Sequence, residues 1–138
     1  MHSESSLGRS AKLGGKRVLV VEDEALVAML VEDELLDAGA EVLGSARLDD
    51  ALRLVEVAAA AGGGGLSAAV LDIDLGGQHV GPVADRLAAL GVPFLFATGC
   101  GENRDTGGHG AAPVLEKPFS PESLVAAVEA LASARARG

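Results

Sequence analysis

Apolar runs of two kinds alternate along the chain. Short β-branched runs with no polar interruption, Arg17 to Val21, Ala68 to Leu71 and Val92 to Ala97, predict strands buried on both faces. Longer stretches rich in Leu, Val and Ala predict helices. The first covers Ala25 to Ala38, with Gly39 as its C-cap glycine. The second runs from Asp49, expected at its cap, to about Ala60, and the third covers Val80 to Leu90, where Pro82 fits only the first turn. Ala40 to Gly44 and Pro113 to Leu115 predict two weaker strands. Ser120-Pro121-Glu122 opens a last helix, with the serine as cap, the proline as first helical residue and the acid at the positive end of the dipole. Strands alternating with helices imply βαβ crossovers and a parallel α/β sheet covered on both faces.

Two glycine-rich stretches interrupt the alternation. Gly62 to Gly65 reads as a flexible connector, because it lacks the Lys-Ser/Thr ending of a phosphate-binding loop. Thr98 to Ala112 carries five glycines and no helical period. Topology asks for a fourth helix there, and the composition opposes it. A short or disordered helix, or a loop, is expected. Loose packing would place this segment at the low-stability end of the fold.

Composition narrows the picture. The chain has 138 residues, which suits one domain, with 49% hydrophobic but only 2% aromatic residues, so the core is built from Leu, Val and Ala. Residues 1–15 are polar and Gly/Ser-rich and read as a disordered leader, and residues 16–135 as the domain. A net charge of -9 argues against binding nucleic acid or an anionic membrane. No apolar run reaches membrane-spanning length. Cys100 is the sole cysteine, so there is no disulfide within the chain and no cysteine zinc site, consistent with a cytoplasmic location. His2, His79 and His109 show no metal-ligand spacing and read as surface residues. Glu24, Glu32, Asp33, Glu34 and Asp37 read as a solvated helix face.

The candidate chemistry lies at the carboxyl ends of the predicted strands, where open α/β sheets bind ligands. Glu22 and Asp23 follow the first strand, Asp72 ends the third, Thr98 follows the fourth and Lys117 the fifth. Clustered carboxylates with a free face suit Mg²⁺, which keeps several waters and accepts phosphate oxygens. A carboxylate can also act as the nucleophile of phosphoryl transfer, which needs mainly positioning and positive charge. Lys117 supplies charge and Thr98 a hydroxyl donor.

Four blocks, Val20-Val21-Glu22-Asp23-Glu24, Val70-Leu71-Asp72-Ile73-Asp74-Leu75, Ala97-Thr98-Gly99 and Glu116-Lys117-Pro118-Phe119, resemble those of response-regulator receiver domains of the CheY-like superfamily. The resemblance covers Lys16 to Ala134 in the family's order. It implies a flavodoxin-like (βα)5 three-layer sandwich with strand order 2-1-3-4-5. It also implies that Asp72 is the phosphoacceptor, that Glu22, Asp23, Asp72 and the backbone carbonyl of Asp74 hold Mg²⁺, and that Thr98 and Lys117 complete the site. A cis peptide is then expected before Pro118. The run Pro93 to Gly99 further resembles the Pro-Phe-x-Phe-Ala-Thr-Gly motif of stand-alone alphaproteobacterial receivers, the FAT GUY subgroup, whose fourth helix is poorly formed. Two positions depart from the family: Val114 stands where many members carry a switch aromatic, and Glu22 stands where the first acid is usually Asp.

The implied function is a single-domain response regulator of a two-component phosphorelay. Its phosphoryl donor would be a sensor histidine kinase or a histidine phosphotransfer protein. It would catalyse only its own phosphorylation and slow dephosphorylation. Output would run through a downstream protein target or through draining phosphate, since the chain ends one helix past the receiver core. Two rival readings are a haloacid-dehalogenase-type phosphatase, from the spacing Asp72-Ile73-Asp74, and a docking module independent of phosphorylation, from Val114.

Overall fold

The computed structural model describes residues 12–61, 65–99 and 105–137. The elements in chain order are β1 (Arg17–Val21), α1 (Ala25–Asp37), β2 (Glu41–Ser45), α2 (Leu48–Ala60), β3 (Ala68–Asp72), β4 (Asp74–Leu75), β5 (Gln78–His79), α3 (Gly81–Ala89), β6 (Phe94–Gly99), β7 (Val114–Lys117) and α4 (Pro121–Arg137). Five strands form one parallel sheet in the order β2-β1-β3-β6-β7. Once the small β4-β5 hairpin is set aside, this is the expected 2-1-3-4-5 order.

Strand periodicity explains why both faces are apolar. Val18, Val20, Ala68, Val70, Leu95 and Ala97 point to one face, where they pack with Val31 and Leu35 of α1 and Leu124 and Val128 of α4. Their neighbours Leu19, Val21, Ala69, Leu71, Phe94 and Phe96 point to the other, against Val55 of α2 and Val83 and Leu87 of α3. A strand with two buried faces has no place for polar alternation, which is why the sequence shows continuous runs.

Helix ends follow local chemistry. Gly39 lies just past α1 with φ +100°, a conformation that suits glycine. Ser120 caps α4: its Oγ accepts from Ser123 N at 3.0 Å and its carbonyl from Leu124 N at 3.1 Å. Asp49 does not cap α2. The helix starts at Leu48 with Arg47 in the cap position, and Asp49 and Asp50 occupy the first turn, where their charge meets the positive dipole end.

Two further expectations are corrected, and one element was not expected. Lys12 to Gly15 form a turn rather than a leader, with Leu13 fully buried in the face formed with α1 and its amide donating to Ala38 O at 2.8 Å; residues 1–11 lie outside the described residues. Asp74–Leu75 and Gln78–His79 pair as an antiparallel hairpin, with both Gly76 and Gly77 at positive φ in its two-residue turn. Between β6 and β7 no helix occurs among the described residues, as composition indicated. Residues 105–112 are nonetheless not loose: two turns close through His109 N to Thr106 O at 3.1 Å and Ala112 N to His109 O at 3.0 Å. Cys100, Gly101 to Arg104 and Gly62 to Gly64, part of the expected connector, lie outside the described residues.

Candidate functional site

The carboxyl ends of β1 and β3 meet side by side at the point where the sheet order reverses. Such switch points open a crevice for ligands. Glu22 leaves β1 and stays 4% exposed, Asp72 closes β3 at 6%, and Asp23 faces solvent. One oxygen from each of Glu22, Asp23 and Asp72 lies within 4.8 Å of the others. Ala97 is the register partner of Asp72, so the next residue, Thr98, arrives at the same crevice, and it is 1% exposed. Asp23, Asp72, Asp74, Gly76 and Thr98 line a cleft of about 310 Å³.

Lys117 ends β7, before a cis peptide bond to Pro118. Its Nζ lies 2.7 Å from Glu22 Oε1, 3.7 Å from Glu24 Oε1 and 3.8 Å from Asp72 Oδ2. Burial alone would lower the Lys117 ammonium, but the hydrogen bond and charge of Glu22, then Asp72 and Glu24, outweigh it and hold the group above its ordinary value. Asp72 moves the other way. Burial first, then the hydrogen bond and charge of Glu22, with a smaller push from Asp23, raise its pKa to about 8 against the pull of Lys117.

The cluster therefore holds three carboxylates against one close ammonium. That surplus of negative charge, with all three groups offering oxygen to one point, is what a hard divalent cation satisfies. Mg²⁺ fits the donor set. The Asp74 side chain is exposed and its Oδ1 accepts from Gly77 N at 2.9 Å, so it stabilises the hairpin turn. This occupation, together with its place after the central strand, separates Asp72-Ile73-Asp74 from the nucleophile and acid pair of the phosphatase reading.

Two histidines read as surface residues make specific contacts. His79 Nε2 lies 2.7 Å from Asp105 O, and His109 Nε2 lies 2.7 Å from Asp85 Oδ1, with its ring edge-on to Phe94. No sequence period signals such pairs. A feature the sequence did hint at is the composition of α1, whose apolar residues are too many for one face. Leu26 and Leu30 are 74% and 65% exposed, and Met29 is exposed beside them. Leu30 also lines an apolar groove of about 290 Å³ with Val27, Val31, Phe119, Pro121 and Lys117. Lys117 thus stands at both the groove and the acidic cluster.

Comparison of the sequence with family models finds no match, and neither does comparison with curated proteins. Solved structures do match. The chain is 39% identical to SdrG from Sphingomonas melonis, covering 84% of this chain and 95% of that one, with a TM-score of 0.69. It is 25% identical to a response regulator receiver protein from Sinorhizobium medicae, over 87% and 96% of the two chains, with a TM-score of 0.74. A response regulator receiver domain protein from Clostridium thermocellum shares the fold at 17% identity and a TM-score of 0.76, over 88% and 98%. No helix among the described residues is long and apolar enough to cross a membrane. With the four sequence blocks gathered at one sheet end and a 39% identical relative covered almost throughout, the chain belongs to the receiver domains of two-component response regulators.

Proposed function

We propose that this receiver takes a phosphoryl group on Asp72 from a phosphohistidine of a sensor kinase or a histidine phosphotransfer protein. The observation that carries the reading is the convergence of Asp72 with Glu22 and Asp23 within 4.8 Å, with Lys117 Nζ 3.8 Å from the Asp72 carboxylate. An Asp72 oxygen attacks phosphorus, the bond from phosphorus to the donor imidazole nitrogen breaks, and the imidazole leaves with the electron pair and is protonated. Glu22, Asp23, Asp72 and the Asp74 carbonyl would hold Mg²⁺. When bound, the ion neutralises charge on the phosphoryl oxygens. Lys117 adds a second positive charge, and the Thr98 hydroxyl donates to a phosphoryl oxygen. With Mg²⁺ bound, the charges of Glu22 and Asp23 would be offset, and Asp72 would stand as the carboxylate that the attack requires.

The exposed apolar face of α1 and the groove beside Lys117 supply surface for a protein partner. The Pro93 to Gly99 run and the absence of a helix among the described residues between β6 and β7 support a place among the stand-alone stress-type receivers, acting in the cytoplasm through protein contacts or as a phosphate sink. Intact mass after incubation with a small phosphodonor and Mg²⁺ tests the reading. One added phosphoryl group, lost in Asp72→Asn, is expected; equal labelling of that variant refutes it.

A further inference from the structure

The imidazole of His79 links the hairpin beside the acidic cleft to the segment that begins at Asp105. Its backbone belongs to the hairpin, where His79 is the register partner of Asp74. The next amide, Val80 N, donates to Ile73 O at 2.9 Å, so both residues following Asp72 are fastened to the strand that carries His79. Gly81 N donates to His79 Nδ1 at 2.9 Å. With Nδ1 accepting, the proton of the neutral ring sits on Nε2, which donates to the carbonyl of Asp105 at 2.7 Å. One tautomer satisfies both contacts, and the ring bridges two stretches of backbone 26 residues apart.

The ring also has a fitted seat. A Cβ at Gly107 would lie 3.2 Å from His79 Cε1, and one at Gly81 would lie 3.1 Å from His79 Nδ1. Any side chain at either position would press on the imidazole. The same segment is tied a second time, a few residues on, by His109 to Asp85 of α3. Residues 105–112 are therefore held by side-chain contacts to the hairpin and α3, beside the packing of Ala112 and His109 on the core.

We infer that His79 is a positioning residue that couples occupancy of the acidic cleft to the conformation of Thr106 to Ala112. This rests on the reading of the cleft as the Mg²⁺ and phosphoryl site. A ligand drawing on the Asp74 carbonyl moves the hairpin backbone, and the ring that projects from the partner position carries that displacement to the Asp105 carbonyl. The surface that reports the state of the site is then the segment Thr106 to Ala112, and no aromatic at Val114 is required.

The test is amide hydrogen exchange on the full chain, free, with Mg²⁺ alone, and with Mg²⁺ and beryllofluoride, for the parent, His79→Ala and His79→Gln. Intact mass after phosphodonor treatment is recorded on the same samples. In the parent, exchange at His109 and Ala112, whose amides are bonded within the segment, should change about fivefold on loading the cleft. In His79→Ala the ligand-dependent change should vanish while Asp72 is still labelled. In His79→Gln, whose amide can accept from Gly81 and donate to Asp105, part of it should return. A purely structural staple would alter exchange in the free protein and leave the ligand-dependent difference unchanged in His79→Ala, which would overturn the inference. So would a parent whose exchange at these amides is the same in all three states. Failure of labelling in the parent bears on the phosphoacceptor reading, and the Mg²⁺ arm still decides the coupling.

Discussion

Lys117 is paired with Glu22 in preference to Asp72: its Nζ is 2.7 Å from the former and 3.8 Å from the latter. Both members of the pair are largely buried, at 14% and 4% side-chain exposure. Breaking a buried pair from one side leaves a charge without compensation. Lys117→Met should therefore destabilise the metal-free protein by roughly 3 kcal/mol, and adding Glu22→Gln should recover more than half of it. Urea denaturation of the two single variants and the double variant measures the coupling. Strictly additive losses would show that the pair is not acting as a unit.

The same geometry divides labour between the acids. Asp23 is exposed on the cleft and Glu22 is turned to Lys117. Asp23→Asn should weaken Mg²⁺ by about tenfold, close to 1.4 kcal/mol, and Glu22→Gln by less. Metal titration followed by calorimetry or line shifts would settle the order, and an unchanged affinity in Asp23→Asn contradicts it.

Asp72 makes stability depend on pH in a stated direction. Burial and Glu22 raise its folded pKa from 3.8 to about 8, so across that interval the folded protein keeps a proton that the unfolded chain has released. Stability falls as pH rises through the window, because the unfolded state binds fewer protons. Asp72→Asn has no proton to lose. Its melting temperature should match the parent near pH 4, exceed it increasingly towards pH 8, and level off above. Saturating Mg²⁺ should shrink the gain. A gain independent of pH would show that Asp72 ionises freely in the fold.

Leu13 tests whether the turn before β1 belongs to the core. It is fully buried against the α1 face. Leu13→Ala should cost about 2 kcal/mol, at the low end for such a truncation because a short turn outside the regular elements can readjust. The urea midpoint should drop with an unchanged slope. No shift would mean that the turn contributes no core.

The sheet and its order were legible in the sequence because every central strand is apolar on both faces, and four of the site's side chains were legible because each follows such a run. The rest depends on tertiary placement. Leu13 stands alone in a polar stretch, so it has no period to reveal it. The hairpin is two residues a side; its only signal is Gly76-Gly77 between short polar-flanked runs, a pair that favours a two-residue turn. The partners of His79 and His109 lie 26 and 24 residues away in sequence. Which carboxylate Lys117 prefers is a matter of ångströms, decided by the packing of β7 against β6 and the burial of Glu22.

The bare leucines and methionine on α1 give the chain's acidity a colloidal meaning. Like-charged copies at -9 repel one another at a distance, so two such apolar faces seldom meet in dilute buffer. Salt shortens that repulsion, to a Debye length of about 3 Å at 1 M, while leaving the tendency of apolar surface to leave water intact or stronger. The charge acts as a dispersant matched to the stickiness beneath it: the protein should remain monodisperse at low ionic strength and begin to cluster as salt is raised, the reverse of a protein whose copies associate through ion pairs.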